Sequence, residues 1–348
     1  MKKYIVFYSS VLFFITTSVH AVTVYNNKDT RLDIYGRVEA QIGNGWTNDN
    51  TNAANLTGRL GFEAQQKLDE SFNLFGKLEW QVTTQKNDTK NTEDNWDVRY
   101  AYAGVGSKDY GRIMVGRTRN PMYQWMGLTD RYMNYTANVY SNWVGSRIDS
   151  SWQWNRQDGT IQYEYENKGV DVRLAYVMGN GAADSTIDNG YMASLGYSFD
   201  IQIAGKPLKI KPVIAWQSLT KDPKNTTLSG NYTDYSQKGA GIRLNYDKAL
   251  LALNIGRQSY ERQGRPDIDY DVFDSLAEYW FTNKIALRGG YSQLIEKKSN
   301  YVHRRQWVTE AEYRLKRNIH FSVTWIYDER ESYDSAENLW IAGLRYDF

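Results

Sequence analysis

From Arg31 onward the chain is a succession of short stretches in which apolar and polar residues take turns one by one. That period of two constrains the fold more than anything else in the sequence. In the first stretch Leu32, Ile34, Gly36, Val38, Ala40 and Ile42 share one face, and Asp33, Tyr35, Arg37, Glu39 and Gln41 share the other. Successive side chains of a strand point to opposite sides, so such a stretch predicts a strand with one apolar and one wet face. The pattern repeats with Gly58, Leu60, Phe62 and Ala64 opposite Arg59, Glu63 and Gln65. Next, Phe72, Leu74, Gly76, Leu78, Trp80 and Val82 oppose Asn73, Lys77, Glu79 and Gln81. In the fourth stretch Trp96, Val98, Tyr100 and Tyr102 oppose Arg99, Ala101 and Ala103. Tight turns alternate with long polar tips, the rhythm of a barrel with short turns on one rim and long loops on the other.

Further strands are expected at 111–117, 159–167, 170–178, 190–203, 208–219, 235–246, 250–260, 269–281, 285–296, 303–315, 319–328 and 337–348, sixteen in all. An even count lets both ends of an up-and-down barrel meet on one rim. Aromatic pairs near strand ends (Tyr197 and Phe199, Tyr279 and Phe281, Trp325 and Tyr327, Tyr346 and Phe348) have the spacing of interfacial girdles. A soluble β-sandwich would also bury aromatics, but the opposite face is too charged and too continuous to be a solvent face. The expected fold is therefore all-β: a 16-stranded antiparallel transmembrane β-barrel.

Residues 1–21 read as a signal peptide, with Lys2 and Lys3, an apolar core over 5–15, and small residues before a cleavage site after Ala21. Residues 22–348 then form a single barrel domain. Loss of Lys2 and Lys3 leaves 40 basic against 40 acidic residues, which removes any charge argument for nucleic-acid binding. There is no cysteine, so an exported chain of this kind depends on its own closed architecture. Mean hydropathy is −0.67, a value that excludes neither class, because barrel strands carry little apolar signal each.

One stretch breaks the alternation. Residues 118–155 mix aromatic, basic and amide side chains with no period, and unstructured runs of this length are uncommon unless functional. The reading is a loop after the fifth strand, folded into the lumen and narrowing a pore.

The ordered segments RLDIYGRVEAQIG, LTGRLGFEAQQKL, SFNLFGKLEW, VRYAYAGVGSKDYGRIMVGR, RQDGTIQYEY and the terminal WIAGLRYDF resemble those of general Gram-negative outer-membrane porins. The resemblance covers the whole chain after the signal. It implies a basic ladder on the wall at Arg37, Arg59, Arg99 and Arg156, with Arg147 an alternative occupant of the last place, and a wall carboxylate at Glu79. It also implies a homotrimer latched by the tip near 87–95, and a terminal Phe348 read by the outer-membrane assembly machinery. The family's acidic third-loop motif is missing. Asp130 is the single acid between 118 and 148, with Arg119 and Arg131 near it.

These residues imply passive diffusion of small hydrophilic solutes and ions through the outer membrane, among its lipids, leaning toward anions because few loop acids oppose the ladder. Tyr123, Trp125, Tyr132, Tyr135, Tyr140 and Trp143 leave open a substrate-specific channel with an aromatic constriction, although packing of the loop accounts for them more simply. An enzyme is disfavoured. The chain after the signal has two histidines, His303 and His320, neither with an evident partner, and no Gly-x-Ser-x-Gly nucleophile motif. Glu310 and Glu312 read as solvated lumen carboxylates, and no cofactor or metal is expected.

Overall fold

A computed structural model describes residues 21–44, 51–84, 96–134, 155–179, 187–222, 232–298, 301–330 and 336–348. Residues 1–20 of the expected signal segment, the tip at 87–95, Arg147 and the aromatics Tyr135, Tyr140 and Trp143 lie outside the described residues.

Sixteen antiparallel strands among the described residues close into a ring. In chain order they are β1 (Thr30–Gly43), β2 (Ala53–Lys67), β3 (Phe72–Thr83), β4 (Trp96–Ser107), β5 (Gly111–Arg119), β6 (Arg156–Asn167), β7 (Val170–Met178) and β8 (Ile187–Tyr197, continued by Phe199–Ile203). The second half comprises β9 (Lys206–Lys221), β10 (Tyr232–Tyr246), β11 (Ala249–Arg262), β12 (Ile268–Trp280), β13 (Ile285–Glu296), β14 (Tyr301–Lys316), β15 (Ile319–Arg330) and β16 (Glu337–Asp347). Each strand pairs with its neighbours in sequence, and β16 returns to β1 from Ile341 opposite Gly43 to Asp347 opposite Arg37. On that edge β16 stops short of Arg31–Ile34, which pair with β2 on their other side. A short N-terminal strip, Val22–Asn26, fills the gap, an element the alternation did not announce.

The two faces are inverted relative to a soluble protein. Ile42, Ile113 and Ile255 are 54–58% exposed, whereas Gln217, Gln258, Asp274 and Glu310 are 0% exposed. Apolar side chains therefore stand outward toward lipid, and polar ones stand inward. Gln217, Gln237 and Gln258 lie opposite one another on β9, β10 and β11, with Gln217 Nε2 donating to Gln237 Oε1 at 3.2 Å. The inner wall is not uniformly wet, however. Met192, Leu219, Tyr235, Tyr260 and Val272 share one buried cluster with Met122, Trp125 and Met126 from the segment after β5.

Two short turns show how the rim is made. Lys168 and Gly169 (φ 48° and 86°) and Ala204 and Gly205 (φ 49° and 77°) are left-handed at both central positions. Those two-residue turns match the twist of the strands they join. The exposed pairs Tyr197–Phe199 and Tyr279–Phe281 sit beside this rim, with ring centroids 5.7 and 5.0 Å apart.

Candidate functional site

The wall built by β1 to β6 gathers arginines. Arg37 and Arg59 stand directly opposite each other on β1 and β2. Arg37 Nε bonds Asp347 Oδ1 at 3.0 Å, with Glu39 at 3.9 Å from its Nη1. Arg59 Nε donates to the neutral amide of Gln81 at 2.8 Å. Arg99 Nε reaches Glu79 Oε1 at 2.5 Å and its Nη1 reaches Gln81 Oε1 at 2.8 Å, while the Tyr35 hydroxyl donates to Glu79 Oε2 at 2.8 Å.

A β-bulge decides the geometry here. Glu79 faces Tyr100 but Trp80 faces Val98, so Arg99 is the unpaired residue. Bulges re-aim side chains where they interrupt a ladder. Arg99 and Tyr100 consequently both point inward, and Tyr100, expected on the apolar face, is 7% exposed on the inner one. Strict alternation cannot reveal an extra residue, which is why the expected parity fails from Tyr100 on.

The bulge also recruits Arg119, which was expected only to offset Asp130. Arg119 Nε donates to the Tyr100 hydroxyl at 2.6 Å, and its guanidinium lies 3.8 Å from the Tyr123 ring centroid. Arg156, opposite Arg119 on β6, lies 5.1 Å from the Tyr100 ring centroid. Five of the guanidiniums on this wall thus come together: Arg37, Arg59, Arg99, Arg119 and Arg156. The carboxylates paired with them are Asp347, Glu39 and Glu79. Among the described residues no carboxylate forms an ion pair with Arg59, Arg119 or Arg156. Asp130 joins the group indirectly, accepting from the Tyr123 hydroxyl at 2.7 Å. Burial, and then the charge of Asp130, push that hydroxyl up to about 12, so it remains a donor.

From Asn120 to Asn134 the chain runs along inward-facing groups of β9 through β16. Asn120 Nδ2 donates to Gln217 Oε1 at 2.9 Å. A short helix, Tyr123–Met126, turns Trp125 onto β10 and β11. Its indole lies where Gly239 and Gly256 lack side chains: a Cβ on either would come within 2.1 or 2.5 Å of the ring. Trp125 Nε1 donates to the Ala240 carbonyl at 3.0 Å, and Arg243 Nε to that of Leu128 at 3.0 Å. Farther on, Thr129 donates to Asp274, and Arg131 Nη2 meets Glu278 at 3.1 Å. The Met133 and Asn134 amides donate to Glu310 at 2.8 and 3.2 Å.

Glu310 and Glu312 are therefore not solvated; they are 0% and 2% exposed. Arg288 ties them together, reaching Glu310 at 2.9 Å, Glu312 at 2.5 Å and Glu278 at 2.5 Å. Glu310 spends its remaining lone pairs on loop amides and Thr324, because a buried carboxylate without donors would be costly. His320 also has a partner, its Nδ1 lying 2.9 Å from Glu312 Oε1. Acids on this wall hold the loop, which itself lacks the acidic motif of the family. Two carboxylates spaced i, i+2 beside an inward Arg288 were the sequence signal for that anchor.

A closed sixteen-stranded ring with inward arginines is the setting in which comparison with known proteins becomes informative. The Gram-negative porin family model matches residues 9–348. The chain belongs to the Gram-negative porin family. Its sequence is 25% identical over 302 residues to outer membrane porin N of Escherichia coli K12, covering 80% of this chain and 76% of that one. Among solved structures, OmpF of Salmonella typhi in complex with daunomycin superposes with a TM-score of 0.78 at 17% identity, over 94% of this chain and all of that one. The anion-selective porin of Comamonas acidovorans gives 0.72 at 13% identity, over 92% of this chain and all of that one.

This porin is a multi-pass protein of the outer membrane and forms a channel for passive diffusion of small hydrophilic solutes. A ring of sixteen strands is wide enough to leave an aqueous path. Of the residues expected at its site, Arg37, Arg59, Arg99, Arg156 and Glu79 lie on one wall, and Asp130 reaches that wall through Tyr123.

Proposed function

We propose that the porin narrows between the β1–β6 arginine wall and the segment after β5, and that this constriction leans toward anions. The supporting observation is the set of three wall arginines, Arg59, Arg119 and Arg156, that form no ion pair with a described carboxylate. Selectivity in a water-filled pore follows the charge and width of its narrowest ring. Arg37, Arg59, Arg99, Arg156, Glu79 and Asp130, with Arg119 added, are the residues assigned to it. Reconstituted channels in a KCl gradient should show a reversal potential of anion-preferring sign. Replacing Arg59, Arg119 and Arg156 together by Gln should move it toward cations. A wild-type channel that prefers cations refutes the charge argument.

The described aromatic residues of the loop favour the non-specific reading over a sugar-stacking one. Trp125 and Tyr132 are buried against the wall, and Tyr123 lies under Arg119, so these rings are occupied by packing. Family channel proteins work without chemistry, and the same is proposed here: no catalysis, no cofactor. The remaining proposals are cleavage after Ala21, a homotrimer and recognition of Phe348 by the assembly machinery. An N-terminal Val22 in the purified protein and a heat-labile oligomer on gels test the first two. In support of the third, Phe348 completes the closing seam, exchanging backbone bonds with Gly36 at 2.8 and 3.0 Å.

A further inference from the structure

Transport does not account for a trough on the lipid-facing side. Leu251, Ala277, Gly289, Thr309 and Trp325 stand opposite one another across β11 to β15. Large side chains flank the row and small ones form its centre. Two contiguous hollows of about 690 and 610 Å³ share Leu251, Ala277, Gly289 and Thr309. One reaches Tyr246 and Tyr279 beside the short-turn rim, and the other reaches Trp307 and Tyr327. Each is of a size that holds a small-molecule ligand.

Glycine weakens a strand interior and often marks the close approach of another molecule. At Gly289 a Cβ would meet only the Val308 carbonyl, at 3.9 Å, so the protein's own packing does not require glycine there. Its neighbour Gly290 contrasts with it, since a Cβ there would lie 2.3 Å from the Ser275 carbonyl.

Charge at the trough's lower end is a separate observation. Every short turn of the described barrel contains or borders a basic residue: Lys67, Lys108, Lys168, Lys206, Lys248, Lys284 and the pair Lys316–Arg317. Lys248 and Lys284 lie at the trough's mouth and are exposed. Lys248 Nζ donates to the Phe281 carbonyl at 3.4 Å, which sets the two turns side by side. The one acid in those turns, Asp247, is held by Lys206 at 2.8 Å. Positive charge therefore stands directly beneath an apolar slot.

We propose that the trough holds an acyl chain of an anionic glycerophospholipid from the periplasmic leaflet, with its phosphate at Lys248 and Lys284. The chain lies over Ala277, Gly289 and Thr309 between Leu251 and Trp325. Lysines near a membrane surface attract anionic headgroups, and an acyl chain fills an apolar slot that side chains leave open.

The test is native mass spectrometry of the full-length protein in mild detergent, titrated with dioleoyl phosphatidylglycerol or dioleoyl phosphatidylcholine. The wild type should retain phosphatidylglycerol several-fold better than phosphatidylcholine. Gly289→Leu should lose retention of both, and Lys248→Gln with Lys284→Gln should reduce phosphatidylglycerol to the phosphatidylcholine level. Lys108→Gln, on a turn distant in the ring, should change nothing. Unchanged retention in Gly289→Leu, or equal loss in Lys108→Gln, would reduce the site to ordinary surrounding lipid and overturn the proposal. So would a changed oligomer in Gly289→Leu with lipid retention intact, which assigns the trough to a second copy of the chain. Wild-type conductance and heat-modifiable gel migration verify folding. Should Gly289→Leu fail to fold, Gly289→Ala must show partial loss of lipid, and full retention there refutes the idea.

Discussion

Trp125 ties the segment after β5 to the wall by full burial and one hydrogen bond, and Trp125→Ala should release that tie while leaving the barrel closed. The indole is completely buried and donates to the Ala240 carbonyl at 3.0 Å. Burying roughly 200 Å² of aromatic surface at about 25 cal/mol per Å² is worth ~5 kcal/mol, and buried Trp→Ala changes cost about 3–5 kcal/mol. A loss of ~3–5 kcal/mol shifts the balance between docked and released segment by roughly a hundred- to several-thousand-fold. Strand pairing does not pass through Trp125, so resistance of the barrel to heat should be unchanged. Two measurements read the release: larger and noisier single-channel current, and tryptic cleavage after Arg131. Gly239→Ala is the complementary perturbation. It alters no loop residue, yet its Cβ would sit 2.1 Å from the Trp125 ring and must expel it. Both variants should therefore behave alike. Wild-type current and protease resistance in both would refute the assignment of Trp125 as the anchor.

Glu79→Gln removes the carboxylate that Arg99 and Tyr35 share, which should cost about 1–3 kcal/mol. It should also move the reversal potential further toward anions; a shift toward cations contradicts the wall's assigned role. Tyr123 supplies a pH test. Its hydroxyl is raised from 10.0 to about 12 when docked, so the docked segment holds the proton more tightly than the released one. The resulting stabilisation is fully present below pH 10 and is lost as pH rises through about 12. Current noise of the wild type should rise across that window, while Tyr123→Phe, which has no hydroxyl to titrate, should show no step there.

Strand after strand was legible in the sequence because a one-sided environment imposes the period of two. A lipid-facing position tolerates Ile42 or Ile255, and an inward one tolerates Arg37 or Gln258, so each side chain reports its own face. The same local logic explains why strand ends were less certain. β6 begins at Arg156 rather than 159, and β8 at Ile187 rather than 190, because ladder bonds extend past the last alternating residue. The basic residues Arg37, Arg59 and Arg99 could be assigned by parity alone.

Three things depended on the tertiary structure. The bulge at Arg99 turns Tyr100 inward and so brings Arg119 and Arg156 to one ring, and a one-residue slip has no signature in a sequence read strand by strand. The pocket for Trp125 needs Gly239 and Gly256, which are 114 and 131 positions away and become neighbours only when β10 and β11 pair. Glu310 could be taken for a solvated carboxylate until the loop amides of Met133 and Asn134 were found on it. Periodicity records which side of a sheet a residue faces. Which distant residues meet across the lumen is decided by closure of the ring, and that information resides in no single strand.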